Sequence, residues 1–100
     1  MSDTAPSNVV ANFLDADGRL HTIPSKHAKL LAVLDFLAQR FEPGVKYAER
    51  EVNDILADYH RDFAALRRYL VENGFLDRAD QPLNGGNTWV YWRSGGTVDV

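Results

Sequence analysis

At Gly74 the apolar periodicity of the chain switches from helical to extended, and that switch limits the possible folds more than any other feature. In DFAALRRYLVENGFLDR, residues 62–78, the side chains of Phe63, Leu66 and Leu70 fall within about 60° of one another on a helix turning about 100° per residue. Asp62 is a good N-cap for this helix, and Gly74 stands where a left-handed C-terminal cap is expected. Phe75-Leu76 then opens a strand, which a loop at 80–87 containing Pro82 and Gly85-Gly86 joins to the strand TWVYWR. A helix therefore runs directly into a two-stranded ribbon.

Upstream, Val52, Ile55, Leu56 and Tyr59 recur at helical spacing, and the tight connection His60-Arg61 separates this second helix from the third. A short extended piece at 45–47 precedes it. The first and most apolar helix is predicted from Lys26 to Pro43-Gly44, capped by Ser25, with Leu30, Leu34, Leu37 and Phe41 as its core stripe and Leu31 and Ala38 widening it. Before Pro24, the apolar stretches VVANFL and RLHTI flank DADG, where Asp17-Gly18 predicts a hairpin turn. DADG also opens like a calcium loop, but the later ligands and the closing glutamate are missing at the required spacing. The order of elements predicts an α+β fold, a winged helix-turn-helix with an additional N-terminal β-hairpin or strand. Its expected bounds are 9–94, between a disordered tail at 1–8 and a flexible C-terminus at 95–100. One hundred residues bury roughly two thirds of their unfolded surface, enough for one core without staples.

IPSKHAKLLAVLDFLAQRF, YAEREVNDIL and DFAALRRYLVENGFLDR together resemble the bacterial family catalogued as domain of unknown function 2087, over roughly residues 13–93. The most specific matches are Tyr47, Glu51-Val52-Asn53, Asp62, the run Leu66 to Val71, Gly74, Leu76 and Arg78. Ala48 departs from the Thr or Ser often found there in the family, which removes a side-chain cap from the second helix. Members occur alone or fused to ArsR-type regulators and are described at most as candidate transcriptional regulators. The resemblance thus implies a regulator and supplies no catalytic residues.

Arg68 lies roughly 180° from the middle of the apolar stripe of the third helix, so it is expected outside. On a DNA-binding helix such an arginine donates to guanine in the major groove, and the small Ala64 and Ala65 would let the helix approach closely. Arg67 falls beside the stripe, where it either joins the DNA surface or reaches Asp54 or Asp58 of the preceding helix. Arg61 in the turn, Arg78 on the first ribbon strand and Arg93 on the second complete the candidate DNA-binding set. From Arg61 to Arg78 four arginines face three acids, whereas the second helix carries Glu49, Glu51, Asp54 and Asp58 against Arg50 alone. With a net charge of -3 for the whole chain, the positive field is local and weak, and specific binding would need a dimer or a partner regulator.

TWVYWR places Trp92 opposite Trp89 and Tyr91, so both faces of the strand are aromatic. One face must pack on the first and third helices; the other is covered by the N-terminal hairpin or by another subunit. His21, His27 and His60 lie on separate elements without ligand spacing, no cysteine is present, and NGGN sits in a hairpin tip rather than before a helix. No enzyme activity, metal or cofactor is expected. The expected partners are double-stranded DNA, a second copy of the chain, or a regulator protein on a separate chain. In that last case the same fold is a protein interaction module. No apolar run is long enough to span a bilayer and no signal sequence is evident, so a cytoplasmic location without membrane contact is expected.

Overall fold

A computed structural model describes residues 8–83 and 86–94. Their elements are α1 (Asn8–Ala11), α2 (His27–Ala38), β1 (Lys46–Ala48), α3 (Glu49–Ala57), α4 (Phe63–Glu72), β2 (Leu76–Leu83) and β3 (Gly86–Arg93). The fold is of mixed α and β class, with a three-stranded antiparallel sheet in the order β1-β3-β2. The expected termini at 1–8 and 95–100 lie outside the described residues, except that Asn8 begins α1.

The apolar stripes converge on one core. Val33, Leu34, Leu37 and Ala38 of α2, Val52 and Leu56 of α3, and Leu66 and Leu70 of α4 are buried together with Leu76 and Tyr91 of the sheet. α2 ends sooner than its periodicity suggests. After Ala38 the chain tightens, with Arg40 N–H on Leu37 O at 2.9 Å and Phe41 N–H on Ala38 O at 3.0 Å, and this turn delivers Phe41 to the core. Ser25 does not cap α2: the N-cap is Lys26, and no side chain accepts there.

The N-terminal hairpin is reduced to a turn. Leu14 and Leu20 form a single antiparallel bridge around DADG, where Asp15 Oδ1 accepts from Asp17 N–H at 2.9 Å and Arg19 N–H at 3.0 Å. Strands do not extend from it because Val9–Ala11 coil instead, burying Val10, and because Leu20 N–H is drawn to Tyr59 O at 2.7 Å. A two-stranded hairpin alone is marginal in water, so core contacts decide. The second loop is also shorter than expected: β2 and β3 pair from Leu76↔Arg93 to Leu83↔Gly86, absorbing most of 80–87 into strands.

Two caps were legible and one is half made. Asp62 accepts Ala65 N–H at 3.2 Å, and Gly74 at φ 81° closes α4 with Gly74 N–H on Val71 O and Phe75 N–H on Leu70 O. At α3, Glu51 Oε1 accepts Ala48 N–H at 2.8 Å, but Ala48 has no oxygen to return the bond. Ala48→Ser fits the existing extended N-cap backbone (φ -68°, ψ 156°). It is expected to add about 1 kcal/mol and about 5 °C to the thermal midpoint. An unchanged melting curve would show that the missing hydroxyl is irrelevant.

Candidate nucleic-acid interface

α4 is anchored through Leu66 and Leu70 and therefore turns Ala64 and Arg68 to solvent. The Arg68 side chain is 58% exposed; its Nε lies 3.8 Å from Glu72 Oε2 one turn on, and its guanidinium rests 5.1 Å from the Tyr69 ring centre. Ala65, by contrast, is buried on the flank next to Leu66, so Ala64 alone provides the small outward surface.

Arg67 points the other way. It donates to Asn53 Oδ1 and lies 4.0 Å from Glu49 Oε2, with its side chain 20% exposed. The preceding helix does hold it, but through Asn53 and Glu49 rather than through Asp54 or Asp58. Glu49 also accepts the Tyr91 hydroxyl at 2.8 Å, which links α3, α4 and β3. Burial, with that bond to the carboxylate adding to it, raises the Tyr91 phenol above its ordinary value, while nearby Arg78 and Arg67 oppose the shift.

On the sheet, Arg78 is paired with Tyr91 and stacks 4.6 Å from the centre of the Trp89 ring, which is 43% exposed. Arg93 is turned inward, Nη1 to Phe41 O at 3.5 Å, and its buried Nε has no partner among the described residues. Of the five arginines of the candidate DNA-binding set, Arg61, Arg68 and Arg78 are thus exposed, and Arg67 and Arg93 serve the fold. Tyr91 fills the core, whereas Trp92 lies on the reverse face beneath Lys46, whose Nζ is 5.6 Å from the ring centre. The N-terminal segment does not form the expected hairpin over that face; α1 packs on α2.

Sequence spacing alone could not place His21 beside His60. The turn at DADG brings His21 and Arg19 against His60 and Arg61 in one hollow. The acidic face of α3 is smaller than its composition suggests, because Glu49 and Glu51 are engaged and Asp54 and Asp58 remain exposed. Among the described residues no group of three or more His, Cys, Asp or Glu side chains could hold a metal ion, and no helix is long and apolar enough to cross a membrane.

The sequence profile of a bacterial family, described as an uncharacterized protein conserved in bacteria (domain of unknown function 2087), matches residues 19–85. The chain belongs to this family. No curated protein and no solved structure matched it. In this family member the matched segment runs from Arg19 through α4 and β2, so it contains Arg61, Arg67, Arg68 and Arg78, while Arg93 lies beyond it.

Proposed function

We propose that the protein is a transcriptional regulator of winged helix-turn-helix type that binds double-stranded DNA, with α4 as the recognition helix and β2–β3 as the wing. The observation that carries this reading is Arg68, exposed beside Ala64 on the outer side of a helix that follows a tight turn and leads straight into a two-stranded ribbon. Arg68 would meet base edges, and Arg61 and Arg78 the phosphates. The contribution of Arg67 and Arg93 is indirect, through the positions of α3, α4 and the sheet.

Arg61 and Arg78 give few phosphate contacts per chain, so the affinity of one copy is low and dependent on salt, with a slope of log K on log salt of about -2. Fluorescence anisotropy of a labelled random duplex across a salt series tests this. Arg68→Ala is expected to weaken binding about tenfold, as loss of one major-groove contact does. Absence of affinity at low salt, or an unchanged constant for the variant, would overturn the reading.

A second reading, a winged-helix interaction module that docks a separate regulator without touching DNA, is favoured by the Arg68–Glu72 pairing and by the exposed Trp89 under Arg78. It requires that the anisotropy stay flat while a regulator of ArsR type co-purifies in stoichiometric amount.

A further inference from the structure

The turn between α3 and α4 and the turn at DADG flank an open hollow of about 220 Å³ lined by Arg19, Leu20, His21, His60 and Arg61. Two arginines and two histidines are among its five lining residues. We propose that this hollow binds a phosphate group.

The donors are held at different angles by the fold. Arg19 Nη1 donates to the last carbonyls of α3, Ala57 O at 2.9 Å and Asp58 O at 3.0 Å, which fixes the guanidinium and leaves its Nε and Nη2 hydrogens for a ligand. His60 Nδ1 accepts Asp62 N–H at 2.9 Å, so the ring carries its proton on Nε2 as a donor. His21 Nε2 lies 2.9 Å from the Asn12 carbonyl and donates to it, which fixes the ring at the side of the hollow. Arg61 is exposed at the rim.

The neighbouring acids are largely occupied. Asp15 is wrapped by the backbone N–H groups of Arg19 and Asp17, which hold its carboxyl below the usual range, and Asp62 caps α4. Asp58 is exposed and contributes its backbone carbonyl to Arg19. Two guanidiniums and an imidazole N–H around a small space suit a compact dianion with three or more acceptor oxygens, and guanidinium matches the spacing of phosphate oxygens. The phosphate could belong to a free phosphoester or to a DNA backbone crossing the turn before α4; the chemistry of the hollow is the same. Only the second source rests on the DNA reading.

The test is a titration of the isotopically labelled full chain, followed by amide and imidazole NMR signals, first with inorganic phosphate and then with a short duplex. Saturable shifts at His21, His60 and Arg61 are expected with phosphate, about tenfold weaker binding for Arg61→Gln, and no change for Arg50→Gln at the far end of α3. Responses at these residues to both ligands assign the source to DNA. A response to phosphate with no duplex affinity keeps the hollow and ends the DNA reading. Duplex binding that shifts only α4 and β2–β3, with no phosphate response, overturns the hollow and leaves the DNA reading standing. Silence of the hollow toward both ligands, or identical phosphate binding by Arg61→Gln, also overturns it.

Discussion

Tyr91→Ala is expected to lower stability by about 4 kcal/mol and the thermal midpoint by about 20 °C. The ring is fully buried among Leu76, Leu66 and their neighbours, so its removal leaves a cavity that the sheet and helices can only partly close. Its hydroxyl is also the donor to Glu49, which in turn faces Arg67, so truncation leaves a half-buried carboxylate short of a partner. Tyr91→Phe separates the two effects: it keeps the packing and is expected to cost about 1 kcal/mol. The variant also has a pH signature. The phenol is raised above 10.0 in the folded protein, so its contribution is complete below about pH 10 and fades as pH climbs through the folded-state value. Urea unfolding at neutral and alkaline pH should show the parent losing stability above pH 10 more steeply than Tyr91→Phe. Parallel losses in the two proteins would show that the hydroxyl makes no special contact.

Leu66→Ala should remove about 3 kcal/mol, a fall of about 15 °C, measured by thermal or denaturant unfolding. Leu66 is wholly buried and, with Leu70, fixes the rotation of α4 against α3 and β2. Leu66→Met, which keeps the volume, is expected to cost less than about 1.5 kcal/mol. If alanine were tolerated as well as methionine, the packing that turns Arg68 outward would be looser than its burial implies.

The helical portion was readable because its signals are local. Leu66 and Leu70 inside, Arg68 outside, Asp62 at the start and Gly74 at the end follow from periodicity and capping within one stretch. The N-terminal segment departs from the expected hairpin because Asp17-Gly18 specifies a turn but not what its arms do. Val10 is buried in the core beside α2, and Leu20 binds the end of α3, both over long sequence distances. Side-chain partners were the least legible. Arg67 meets an acid of the second helix as its position beside the apolar stripe implies, but the turn between the helices sets it against Asn53 and Glu49 rather than Asp54 or Asp58. Arg93 pairs with Leu76 at the core end of the ribbon and faces the carbonyl of Phe41, a position that strand periodicity alone does not reveal. The cluster of His21 and His60 depends on a contact between distant segments that no spacing rule encodes.

Among the described residues the sheet order leaves β2 without a neighbour on its outer side, a row of backbone groups that could act as a template for a foreign strand. Asp77, Arg78 and Asp80 put alternating charge along that row, and Pro82 removes one donor from it. Self-assembly by lateral growth of the sheet is thereby discouraged, which keeps the outer margin of the ribbon dispersed in water even though Trp89 lies on the strand beside it.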